Sequence, residues 1–212
     1  MPKFKRKTKE ERKTEIQEAA KKVFFEKGFR NTTMEDVVKA TSLSKGGVYQ
    51  YYKNTKTILF DIMQNGNYLR YERTESIINK FSKTENTAEI MTQVIMAKLF
   101  DKVPEKKLYL MFLAEILYDK DYEALFFELE EQSLKLFIKN MHQNSENEKK
   151  IFKYLKDNAS ILFRVFNGIL VMHELFEDDS AFTKNKQKIH DIIFNLVQNF
   201  LTANKTLFVR RV

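Results

Sequence analysis

Residues 33–52 read TMEDVVKATSLSKGGVYQYY, and this stretch decides the fold. Met34, Val37 and Val38 recur at helical spacing for about two turns before Thr41-Ser42-Leu43 breaks the pattern. Ser44 then offers a side-chain oxygen to cap a second helix running through Tyr52. Two short helices joined by a tight turn are what a helix-turn-helix needs, with one helix braced on the DNA backbone and the second in the major groove. If Val48 and Tyr52 anchor the second helix, a rotation of about 100° per residue puts Gly46 and Gln50 at the centre of its outward face. Lys45, Gly47, Tyr49 and Tyr51 flank them. Gln50 suits adenine, Lys45 suits guanine or phosphate, and the tyrosines suit phosphate oxygens or a thymine methyl. Each glycine costs a helix about 1 kcal/mol relative to alanine. Two in a row at its start imply close approach to another molecule.

The charge distribution agrees with that expectation. Of the 37 lysines and arginines and 29 acids in the 212 residues, the first 60 residues hold 15 basic and 7 acidic side chains, and the remaining 152 hold 22 of each. The entire net charge of +8 therefore sits in the first 60 residues. That is the footprint of a polyanion-binding module, not of a uniformly solvated surface.

With 5 Gly, 2 Pro and no Cys, strand-and-turn architectures, disulfides, thiolate metal sites and cysteine nucleophiles are excluded. No apolar run reaches the roughly 18 residues of a membrane span, and the basic start lacks the apolar core of a signal peptide. The expectation is a soluble, cytoplasmic protein with no membrane contact.

Working outward, a basic arm over residues 3–13 leads into a first helix that starts near residue 9, where Thr8 and Glu11 have capping-box spacing. Ile16, Ala19, Ala20, Val23 and Phe24 form its apolar face, and Gly28 supplies the stop. Thr32 and Glu35 repeat the capping-box spacing before the second helix, and Asn54 can cap a fourth that runs toward Phe81. Further helices are expected at about 87–101, 105–118, 121–143, 147–176 and 183–203. The expected organisation is all-α. Residues 1–54 form a three-helix helix-turn-helix domain with a basic arm, and residues 55–212 a helical ligand-binding and dimerisation domain.

Thr32-Thr33 through Leu59, with Ser44-Lys45-Gly46 and Val48-Tyr49-Gln50-Tyr51-Tyr52, resembles the DNA-binding domain of the TetR family of transcriptional regulators. The resemblance implies about nine helices, a homodimer built on the last two, and an effector cavity in the C-terminal domain that controls binding to double-stranded operator DNA. DNA contacts are expected from Thr33, Ser44, Lys45, Gly46, Gly47, Tyr49, Gln50, Tyr51, Lys53 and Lys56. Ser42, Gly47 and Thr55 depart from the family pattern, which more often has Gly, Thr or Ser, and Lys there. Lys53 and Lys56 can replace the last contact.

The remaining expectations concern the C-terminal domain. Aromatic runs with embedded polar groups nominate Phe112, Glu115, Phe127, Phe163, Asn167 and His173 for a small, mainly apolar effector. Gly168 and the stripe of Ile189, Ile193, Leu196, Val197 and Phe200 are expected at the dimer interface. His173 and Glu177 share a helix face, but no third ligand accompanies them, so neither metal nor cofactor is expected. The dispersed histidines form no catalytic triad, and the chain reads as non-enzymatic. Besides a ligand-responsive repressor, the sequence allows an adaptor or architectural DNA-binding protein governed by a protein partner, without a small-molecule effector.

Overall fold

The computed structural model describes residues 7–81, 87–141, 145–176 and 180–202, and every regular element among them is a helix. In order these are α1 (Lys9–Lys27), α2 (Met34–Ala40), α3 (Lys45–Tyr49), α4 (Thr55–Phe81), α5 (Thr87–Phe100), α6 (Glu105–Glu115), α7 (Lys120–Met141), α8 (Ser145–Leu175), α9 (Ser180–Lys184) and α10 (Lys186–Thr202). The described residues thus hold ten helices where about nine were expected. The segment expected as one helix from 183 starts at Ser180 and breaks at Asn185, whose amide bonds back to Phe182 O at 3.1 Å. No described helix is long and apolar enough to cross a membrane.

Local chemistry sets the early boundaries. Thr8 and Glu11 form the expected capping box, with the Thr8 amide donating to Glu11 Oε2 at 2.6 Å and the Glu11 amide to Thr8 Oγ1 at 3.1 Å. Gly28 ends α1 with φ of 77°, a conformation a Cβ would strain. The second capping box uses Thr33 and Asp36, one residue later than the Thr32–Glu35 pairing expected from the sequence. Thr32 instead donates its hydroxyl to Gly28 O at 2.9 Å, which fastens the turn after α1. Ser44 caps α3 through the Gly47 amide at 3.2 Å, and Asn54 Oδ1 accepts from the Thr57 amide at 2.9 Å. Helix α3 ends at Tyr49, short of Tyr52: the amides of Tyr51 and Tyr52 both converge on Val48 O, at 3.0 and 3.1 Å, in a tightened last turn.

Two compact units result, one from Met1–Gly66 with Pro104–Leu125, the other from Asn67–Val103 with Phe126–Val212. This division differs from the boundary expected after residue 54. Helix α6 and the start of α7 belong with α1–α3 because they complete that unit's core. Ile16, Phe24, Val37, Val48, Ile58 and Leu59 are buried together with Leu108, Phe112 and Tyr122. Tyr122 meets Phe60, Phe112 and Phe29 with ring centroids 4.9, 5.8 and 6.1 Å away. In the second unit α5 packs along α10, where Met96, Leu99, Ile193 and Val197 form a closed core against Phe166, Ile169 and Leu170 of α8.

Candidate nucleic-acid interface and ligand cavity

The first unit holds α3 by its ends and leaves its outer face open. Val48 has no exposed surface, and Tyr52 is buried with its hydroxyl accepting from Gln17 Nε2 at 2.7 Å and donating to Asp61 Oδ2 at 2.9 Å. Lys13 Nζ neutralises the same Asp61 oxygen at 2.8 Å, and Asn65 Nδ2 donates to Gln17 Oε1 at 3.0 Å. Burial, with Asp61 beside it, keeps the Tyr52 phenol well above its ordinary range, so it remains a proton donor. The turn before α3 is fastened as well. Ser42 donates its hydroxyl to Glu15, whose carboxyl is lowered to about 2 by hydrogen bonds from Lys7 and Ser42. Sequence reasoning treated Ser42 only as a departure from a family glycine.

Outward, Lys45, Gly46, Tyr49 and Gln50 are exposed, and Gly47 and Tyr51 half-buried. A Cβ on Gly46 would meet nothing within 4 Å, and one on Gly47 would stand 3.4 Å or more from Ser44 and Leu43. Packing among the described residues therefore requires neither glycine. Lys45 reaches Glu35 at 3.1 Å across an exposed pair, which raises its pKa but is too solvated to lock it.

Other expected contacts have tasks inside the protein. The Thr33 hydroxyl accepts from the Asp36 amide and donates to Asp36 Oδ2 at 2.8 Å, and Ser44 Oγ is occupied by its cap. Lys53 is exposed. Lys56 is not: its ammonium lies 2.5 Å from Asp119 and 2.6 Å from Asp121. Burial opposes its charge, but the two carboxylates outweigh that and raise its pKa. Its ammonium is thus engaged with Asp119 and Asp121, whereas a phosphate contact was expected of it.

The second unit contains a cavity of about 130 Å³ lined by α4, α5, α7 and α8. Phe163 and Asn167 line it, as do Asn67, Arg70, Leu134 and Lys98. The other residues nominated for an effector lie elsewhere. Phe112 is wholly buried in the first unit's core, and Glu115 in that unit accepts from Arg30 Nε at 2.8 Å. Phe127 is exposed, and the His173 ring sits 4.8 Å from that of Phe182 and 5.9 Å from that of Phe100. Glu177, the suggested companion of His173, lies outside the described residues. Arg70 and Lys98 were missed. The readable signal was a lysine ending the otherwise apolar Met91, Ile95, Lys98 face of α5.

The residues expected at a dimer interface divide between two faces. Ile193 and Val197 are fully buried against α5, with Ile189 and Phe200 packed beside them, so all four serve the protomer's own core. Leu196 is exposed and Gly168 has open space around it. The exposed apolar surface continues through Ile192 on α10 and through Ile161, Val165, Met172 and Leu175 on α8.

Residues 16–62 match the family model described as bacterial regulatory proteins, tetR family. The chain carries the TetR-family N-terminal domain. An HTH-type transcriptional regulator of Bacillus subtilis (strain 168), YfiR, is 46% identical to this chain over 65 residues, which are 31% of this chain. That match spans about a third, 32%, of the relative's own length. Among solved structures, one assigned to the TetR family from Mesorhizobium loti MAFF303099 has a TM-score of 0.65 at 17% identity, covering 93% of this chain and 98% of the other. Salmonella enterica GusR gives 0.60 at 16% identity over 90% and 95% of the two chains. At these identities the likeness is one of fold.

Proposed function

We propose that this TetR-family chain is a transcriptional repressor that binds operator DNA as a homodimer and releases it when a small, mainly apolar effector occupies the second unit. The open face of α3 carries this reading. It presents Lys45, Tyr49 and Gln50 beside two glycines that packing among the described residues does not require. Polar readers on a flush helix face, within the 60 residues that hold all the net charge, suit the major groove. Without that face the family resemblance would speak for fold alone.

The homodimer is supported by the exposed seam Ile161, Val165, Gly168, Met172 and Leu175, whose spacing alternates four and three residues. That is the repeat of a helix pair in side-by-side contact, and a two-fold axis would cover it symmetrically. The cavity favours a small-molecule effector over the adaptor alternative, because an adaptor's helical core has no need of an internal space. On this reading the chain works in the cytoplasm and performs no catalysis.

The test is selection of duplexes from a random pool by the full chain, followed by fluorescence anisotropy with the recovered operator. Gln50→Ala and Tyr49→Ala should each weaken binding by about ten- to a hundredfold, the usual loss for a base reader. Recovery of no preferred sequence, or wild-type affinity in both variants, would overturn the assignment.

A further inference from the structure

The charge of the cavity is not explained by its walls. Its body is aliphatic and aromatic, with Val94, Leu134, Leu162 and Phe166 in the lining, yet α4 and α5 add Arg70 and Lys98. No carboxylate lines it among the described residues. Lys98 makes no ion pair among them either, and its neighbour in charge is Arg70, a second cation. Burial, with Arg70 near, pushes the Lys98 ammonium down to about 8. Lys98 also keeps surface in solvent, so what the empty protein bears there is a like-charge neighbour rather than a sealed ammonium, and a neutral side chain would relieve it. Arg70 is differently placed, since its Nη2 lies 3.4 Å from Asn67 Oδ1. Asn67 is in turn fixed by Ser133 Oγ at 2.7 Å, so the polar wall is ordered before anything enters.

We infer that the cavity takes a monoanionic amphiphile, a carboxylate on an apolar body, with its head group against Lys98 and Arg70 and its body among Val94, Leu134, Leu162 and Phe166. A cationic ligand would face two like charges. A neutral apolar ligand would seal Lys98 from water without a partner and so bind against its desolvation. One negative charge answers Lys98, the lining cation that makes no ion pair among the described residues, which favours a carboxylate over a phosphate dianion. This rests on the proposed ligand response only in taking the cavity's occupant to be the effector.

The test uses the full chain at pH 7 and three forms of one ten-carbon chain: decanoate, decanol and decyltrimethylammonium. Calorimetry should show decanoate binding at least tenfold tighter than either of the others. Lys98→Met should abolish that advantage while binding decanol at least as well as the wild type, which also shows that the cavity is folded. Lys98→Gln, which keeps a polar donor, should lose most of it too. Equal binding of the three probes by the wild type, no binding of any, or undiminished decanoate affinity in both variants would overturn the inference. Decanoate binding that depends on Lys98 but leaves operator affinity unchanged would uphold it and overturn the ligand-responsive repressor instead.

Discussion

The Tyr52 hydroxyl donates to Asp61 Oδ2 across 2.9 Å and so fixes the turn after α3 to the long helix α4. Tyr52→Phe removes that donor and also leaves Gln17 Nε2, which donates to the same hydroxyl at 2.7 Å, without its acceptor. A buried polar group stranded in this way costs about 1–3 kcal/mol. The variant should lose about that much stability in urea titrations and bind operator more weakly although no DNA-facing atom has changed. Wild-type values for both would show that the network does not position α3.

Lys53 and Lys56 are three residues apart and should behave differently toward salt. Each lysine on a phosphate contributes about one unit to the slope of log K against log salt concentration. Lys53→Ala should reduce the slope by about one. Lys56→Ala should leave it unchanged, because that ammonium is already held by Asp119 and Asp121. Anisotropy titrations between low and moderate salt decide the matter, and a flattened slope in the Lys56 variant would contradict the assignment.

Gly168→Leu separates folding from assembly. The position is open within the protomer, and leucine favours helix over glycine by about 0.8–1 kcal/mol, so the protomer should not suffer. In a paired seam the same side chain would hold two helices apart. Light scattering should show monomers, and operator affinity should fall sharply because two half-sites are no longer held together. Dimers of normal affinity would place the interface elsewhere.

The open face of α3 was legible from the sequence because one periodicity, anchored by Val48 and Tyr52, fixes both what is inside and what is outside. Phe112 and Glu115 show where that reasoning stops. Their helix was recognised, but a buried aromatic does not announce which core it enters, and α6 packs with the N-terminal unit through contacts distant in sequence. Ile193 and Leu196 show the same for α10. Its apolar stripe is broad enough to serve an inner and an outer partner, and only the position of α5 tells the two faces apart. Lys98 could be read only as a lysine ending an apolar face, since its setting depends on Arg70 of another helix.

The empty protein should gain stability at pH 7 from Lys98→Met. The folded-state pKa of about 8 lies below the ordinary 10.5, so between those values the unfolded chain keeps a proton that the folded chain has released. Unfolding free energy therefore rises with pH across that window in the wild type and levels off above it. The variant should lack the rise. Because Lys98 retains accessible surface, the gain at pH 7 should be about 1 kcal/mol, well short of the full shift. Urea unfolding at pH 7 and at pH 10 is the check, and parallel behaviour of the two proteins would refute it.

If the proposed ligand response holds, the placing of Lys98 also bears on how that response would diversify. Its codon is a single base change from those for glutamate, glutamine, threonine or asparagine, and on this reading each would give the cavity a different preferred charge. Neither the α3 face nor the α8 seam includes this position, so such a change would alter what the regulator listens to while its address on the chromosome stays the same. Duplicated copies of the gene would then have a short mutational path to new signals, beginning from a side chain whose loss the fold is expected to tolerate.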